Sequence, residues 1–329
     1  MPEMYLPSKK QIAAAKLIIS RQNSSLGKLE NAMQVIDKSL GLYCHNKQPK
    51  QWAAIISSLG CAQQRVGSMT QDSALLEKAI LSYRGALQVR TRASAPRSWA
   101  WIQCNISLAA GTIGALNHDK IRLQEAVEAS RNALAVYVSD EMPEEWATAQ
   151  VYLGMALGFL GLITDETFWL EEAAAAYRAA LEVRSPGGEP AEWAETQCSL
   201  ANTLVTLGKR SGDHAHFQAA IEAYECMSEF YSMNGNAAAS MEMQEKLGDT
   251  HWNLAKVTGS DFHQRAAAFA YQEALAFHMG SGMPSALTTG TYPQTKHVLR
   301  LVEKLNGATG SSSHLWSLLR QQSDVICRC

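Results

Sequence analysis

Apolar residues in the stretch that opens at Pro49 fall at helical intervals: Trp52, Ile55, Ile56, Leu59, Ala62 and Val66 all share one face. Proline suits the first turn of such a helix, because its missing N–H would have no partner there. Gly67 follows the last apolar position, and a glycine at that place predicts a helix end in the left-handed conformation. After a short polar turn comes Asp72, whose carboxylate suits the N-cap of a second helix. That helix is predicted from about residue 73 to residue 91, with Leu76, Ala79, Ile80, Tyr83, Ala86 and Leu87 on one face. The segment therefore reads as a helical hairpin, helix A then helix B, with no strand pattern in it.

The whole pattern then returns every 47 residues. Pro2, Pro49, Pro96, Pro143, Pro190 and Pro284 share one phase, followed three residues later by Tyr5, Trp52, Trp99, Trp146 and Trp193. The same period carries the glycines Gly67, Gly114, Gly161 and Gly208, the alanines Ala32, Ala79, Ala126, Ala173, Ala220 and Ala267, and the cap candidates Ser25, Asp72, Asp119, Asp213 and Ser260, with Glu166 as the irregular member. A repeat of this length is one supersecondary unit that buries its apolar face only by stacking on its neighbours. Seven copies starting near residues 2, 49, 96, 143, 190, 237 and 284 account for an array over residues 1–306, or about 14 helices. Ala237 and Ser240 replace the proline and tryptophan of the sixth copy, and an extra Pro293 breaks the seventh. Gly307 to Ser313 reads as a linker, and residues 314–329 as a short terminal helix or tail ending in Cys327-Arg328-Cys329.

Leu59-Gly60, Ala79, Tyr83 and Ala86, repeated as Leu153-Gly154, Ala173, Tyr177 and Ala180, resemble the signature of the tetratricopeptide repeat. The period is longer than that family's ~34 residues. The helix-A aromatic also sits one turn early, leaving Gln103, Gln150, Gln197 and Gln244 at the usual aromatic position. The resemblance implies an all-α solenoid of about seven helix-turn-helix repeats, a right-handed superhelix whose helix-A residues line a concave face. Carried over position by position, that face takes Trp101, Cys104 and Leu108, then Val151, Met155 and Phe159, then Glu195, Cys198, Asn202 and Val205, and last Glu242, Glu245, Asp249 and Trp252. It would be apolar in the middle and acidic toward the C-terminal end, suited to a peptide or partner domain with apolar anchors and a basic flank. Burial of some of these positions in the core of longer helices is the equal alternative. The low Lys, Arg and Asn content of that set argues against a carboxylate clamp.

Composition narrows the function classes further. With 29 basic and 31 acidic residues scattered along the chain, net charge −2, there is no electrostatic footprint for nucleic acid or anionic lipid. No apolar run approaching ~20 residues is apparent, so no membrane span is expected. The polar start, Met1 to Lys10, is in phase with the repeat and leaves no room for a signal peptide. Seven irregularly placed cysteines read as buried thiols of a reducing compartment, so a cytoplasmic location is expected.

No phosphate loop, catalytic triad order or metalloprotease motif occurs, and an enzyme is not expected. His214-x-His216 beside Asp213 falls short of a closed ligand set, and Asp213 has a capping role, so neither metal nor cofactor is expected. Glu144-Glu145 and Glu171-Glu172 stand near helix starts, where the macrodipole favours them. The periodic tryptophans read as packing between repeats in preference to an aromatic cage. These features together point to a non-catalytic protein-interaction scaffold, with a ligand-sensing array that controls an effector as the alternative.

Overall fold

The structure is a computed structural model that describes residues 6–21, 23–43, 45–280, 300, 303–304 and 307–308. Among these residues it contains twelve α-helices and one 3-10 turn, with no strand. The A helices are α1 (Lys9–Ser20), α3 (Pro49–Thr70), α5 (Pro96–Asn117), α7 (Pro143–Thr164), α9 (Pro190–Ser211) and α11 (Ala237–Thr258). The B helices are α2 (Leu26–Ser39), α4 (Ser73–Leu87), α6 (Lys120–Leu134), α8 (Thr167–Val183), α10 (His214–Met233) and α12 (Asp261–Gly280). From α3 onward every helix of one kind starts 47 residues after the last, so the sequence period is the period of the fold. The expected seventh hairpin, from residue 284, lies outside the described residues for most of its length. So do the linker and the terminal tail.

Residues Met1–Arg184, holding α1 to α8, form one compact unit, and Ser185–Cys329, holding α9 to α12, form a second. Inside each unit every helix packs on the next one in the chain. In the first unit the A helices also touch one another, α1 on α3, α3 on α5 and α5 on α7. The fold is an all-α array of stacked helical hairpins.

The A helices begin at proline in α3, α5, α7 and α9. In α11, where alanine replaces that proline, the Asn236 side chain accepts from the Ala239 N–H at 3.2 Å and caps the helix instead. Asp72 and Asp119 cap α4 and α6 in the same way, and Asp213 caps α10. Ser25 and Glu166 occupy the equivalent place in α2 and α8 without a side-chain cap bond.

The A helices end later than the glycine pattern predicts. The left-handed residues are Gln71, His118, Asp165, Gly212 and Gly259, and Gly67, Gly114, Gly161 and Gly208 lie four residues earlier inside the helix. These interior glycines serve close approach. A Cβ at Gly114 would stand 2.6 Å from Leu123, and one at Gly208 2.7 Å from Phe217, on the facing B helix. Their carbonyls still receive the left-handed residue's N–H, as Gly67 does from Gln71. Left-handed backbone at Gln71, His118 and Asp165 costs roughly 1–2 kcal/mol each. The capping bond from the following aspartate at Asp72 and Asp119 offsets part of that.

A second line of contacts holds each hairpin. The rings of Tyr83, Tyr177 and Tyr271 lie against Gly60, Gly154 and Gly248, where an added Cβ would meet the ring at 2.8, 2.8 and 2.6 Å. All three rings are buried. The third repeat departs from this: serine replaces both partners, and the hydroxyls of Ser107 and Ser130 bond at 2.6 Å in the core.

By length and composition α7 is apolar enough to cross a membrane, with a mean hydropathy of 1.5, which the scan for long apolar runs did not anticipate. It packs between α6 and α8 and on α5, and only 44% of its most apolar window is buried. Part of the remaining apolar surface faces the cavity described next.

Candidate binding face of the first unit

The A helices of the first unit meet in shallow inter-repeat grooves, and two of these open into cavities. One, of about 290 Å³, lies between α5 and α7 and is lined by Ser107, Leu108, Gly111, Thr112, Ala115, Leu116, Tyr152, Met155, Ala156 and Phe159. The other, of about 490 Å³, is lined by Lys16, Ile19, Ser20, Ser58, Cys61, Gln64, Arg65, Trp101, Asn105 and Leu108. They coincide at four positions one repeat apart, but Ser107 lines the first while its counterpart Gly60, covered by the Tyr83 ring, does not line the second. Cys61, Gln64, Arg65 and Asn105 stand 47 residues before Leu108, Gly111, Thr112 and Tyr152. Leu108 lines both.

The two cavities differ in chemistry because those four substitutions change it. The α5–α7 cavity is walled by aliphatic and aromatic groups, with Phe159 38% exposed at its edge and Met155 half-buried. Its hydroxyls are already engaged: Ser107 with Ser130, and Thr112 donating to the Leu108 carbonyl at 2.7 Å. The neighbouring cavity, also mostly apolar, carries cationic groups. Arg65 donates to the carbonyl of Ile19, and Lys16 stands beside it on α1. Burial, and secondarily the Arg90 guanidinium, pull the Lys16 ammonium below the usual lysine range. Lys16 makes no ion pair with the described residues. No carboxylate lines either cavity.

Of the positions expected on the face in this unit, Trp101, Leu108, Met155 and Phe159 line it. Trp101 is 39% exposed and sets its ring edge-on to Tyr83, with centroids 6.4 Å apart. Cys104 and Val151 are buried although they share a helix face with Trp101 and Met155, Cys104 being covered by Ala133, Tyr137, Met142 and Ala149. Burial pushes the Cys104 thiol up to about 12, so it stays a protonated, unreactive packing group. Sequence reasoning missed Lys16, Gln64, Arg65, Asn105, Gly111 and Tyr152. The signal was present as departures between copies at one phase, Gln64 against Gly111 above all.

In the second unit the expected acidic residues are largely engaged with neighbours in the same unit. Asp249 accepts from the Tyr271 hydroxyl at 2.7 Å and from the Lys304 ammonium at 2.8 Å. Glu242 lies 3.8 Å from Lys246. Asn202 accepts from the Tyr224 hydroxyl at 2.7 Å and turns its amide toward the Cys198 sulfur at 3.5 Å. Trp252 carries the Lys256 ammonium 5.1 Å from its ring centre. Glu195 is exposed, while Cys198, Val205 and Glu245 are half-buried. Asp249 and Asn202 thus act first as anchors for the tyrosines of α12 and α10.

No family model matches the chain, and no curated protein matches it. Among solved structures, one described as a "circular tandem repeat protein with novel repeat topology and enhanced subunit contact surfaces" is similar over 97% of this chain and 82% of its own, at 16% identity and a TM-score of 0.37. The helices themselves define the fold as an all-α repeat array.

Proposed function

We propose that the chain is a non-catalytic interaction module that binds a peptide segment of a partner protein across the A helices of its first unit. The observation that carries this reading is the pair of adjoining cavities on α1, α3, α5 and α7, joined at Leu108 and edged by the part-exposed rings of Trp101 and Phe159. Concave, mostly apolar surface with a few fixed polar groups is the usual form of a recognition site. Exposed aromatic anchors beside pockets are where binding energy concentrates. Helical repeats supply the rigid frame, since each hairpin is held by its neighbours.

The test is crosslinked affinity capture from the native host, comparing the wild type with the double variant Met155→Glu and Phe159→Glu. Both side chains lie at the cavity rim, so the variant is expected to keep its melting temperature and helical spectrum. Captured partners should fall about tenfold or more, the size expected when a buried anchor is lost. Equal capture by a folded variant would reject the face.

A further inference from the structure

We propose that the α5–α7 cavity is a socket for one aromatic side chain of an acidic peptide, whose carboxylates meet Lys16 in the adjoining cavity. This rests on the interaction reading above and adds the chemistry of the partner.

The socket has an identifiable origin. In the second repeat the Tyr83 ring lies on Gly60 and its hydroxyl donates to Gln64 at 2.7 Å. One period later the three places are held by Ser130, Ser107 and Gly111. Against the second repeat, the third therefore lacks both a phenol ring and a glutamine side chain. The Ser130 hydroxyl ends its reach at Ser107, 2.6 Å away. Ser107 and Gly111, which mark the track the missing ring would follow, both line the cavity. A dry cavity of about 150 Å³ holds a benzene ring, and this one of about 290 Å³ has room for a ring and the stem that carries it.

The chemistry of the walls selects the occupant. Because the Ser107 and Thr112 hydroxyls are already bonded within the protein, an apolar ring can enter without depriving them of partners. Next to it, Lys16 presents positive charge with no carboxylate in either lining. Two B-helix cations of the same unit are matched, Arg122 to Glu77 at 2.7 Å and Arg84 to Glu125 at 2.5 Å. Lys16 differs: it is half-buried, lies in the field of Arg90 and makes no ion pair with the described residues. A partner carboxylate would relieve that repulsion, and complementary charge beside an apolar anchor fixes register as well as partner choice. The flank preference is thus for negative charge, opposite in sign to the basic flank the C-terminal residues suggested.

The experiment measures fluorescence anisotropy of synthetic peptides with the full chain. The probe is a labelled peptide of glutamate and glycine around a central phenylalanine, with controls carrying alanine for the phenylalanine or lysine for the glutamates. For the wild type, each control should bind about tenfold more weakly or worse. The double variant Ser107→Gly with Ser130→Tyr restores the glycine–tyrosine pair of the second, fourth and sixth repeats. It should melt at or above the wild-type temperature and no longer distinguish phenylalanine from alanine. Gly111→Leu fills the same space from α5, and its Cβ would have only the Ala126 methyl in ordinary contact at 3.7 Å. It gives the same reading should the first variant fail to fold. Lys16→Glu should abolish the preference for glutamate over lysine while keeping that for phenylalanine.

The proposal is overturned if the phenylalanine and alanine peptides bind the wild type equally, if a filled socket keeps the phenylalanine preference, or if the lysine peptide binds as well as the glutamate one. Should these fail while Met155→Glu with Phe159→Glu still loses captured partners, the face binds but its partner has other chemistry. Should that capture also be unchanged, the interaction reading itself fails.

Discussion

A tyrosine ring can lie on a helix only where that helix carries no side chain, and the hairpins are built on that constraint. The Tyr83 ring has no lateral freedom, being buried and tied through its hydroxyl to Gln64 at 2.7 Å. A methyl at Gly60 would meet the ring at 2.8 Å, against 3.7 Å to a single methyl at Gly111. Gly60→Ala should therefore destabilise the first unit by about 1–3 kcal/mol through overpacking. Gly111→Ala should be neutral or stabilise by up to about 1 kcal/mol through helix propensity. Urea unfolding of the two variants is the check, and equal shifts in the midpoint would remove the close-approach argument. The Gly60–Tyr83 pair was visible in the sequence as a recurring signature. What the sequence hid was the reason for Gly67: a glycine that ends a helix and a glycine that admits a neighbour's leucine look alike in a one-dimensional pattern. Cys104 and Leu108 show the same limit, since a helical period tells which face points inward but not how far the next helix covers it.

At the scale of elements, helix starts were legible because proline and capping aspartates act locally, and α11 shows the rule surviving an exception through Asn236. Contacts between elements were not legible where they depend on one pair of residues. One such pair joins α11 to α12: the Nδ1 atoms of His251 and His263 stand 3.1 Å apart, a single N–H···N bond between neutral rings. Burial, and then the neighbouring His263, lower His251 from 6.5 to about 4. His263 is lowered by burial and by His214. The unfolded chain then takes up a proton near pH 6.5 while the folded one refuses it until about pH 4. Stability supplied by the neutral pair is full above pH 6.5 and drains away as pH falls toward 4. A nuclear magnetic resonance titration should show His251 unprotonated at pH 5.5, and His251→Leu should flatten the loss of melting temperature between pH 6.5 and 4. An ordinary histidine titration at position 251 would dissolve the clasp.

For the molecule as a whole, the period makes one repeat the natural unit of gain and loss. Within the first unit each helix from α1 to α7 packs on the next in sequence, and the A helices also pack on one another. Stability in such a stack is close to a sum of hairpin and nearest-neighbour terms. Deleting residues 96–142 removes α5 and α6 in phase and joins Ala95 to Pro143, so that α4 meets α7 at the positions α5 had occupied. There α7 offers Ala149 and Leu153 for Ile102 and Ile106. The first exchange removes buried methylenes and should lower stability by about 2–4 kcal/mol without changing the fold. Deleting only residues 96–118 removes α5 alone and sets two B helices side by side, with Leu123, which filled the Gly114 notch, left without a receiving surface. Circular dichroism and thermal melting should find the longer deletion helical and cooperative and the shorter one largely unfolded. If both fold equally well, the hairpin is not the unit of stability. If the longer deletion folds but still discriminates phenylalanine from alanine peptides, the socket does not lie between α5 and α7, because in that chain α5 is gone.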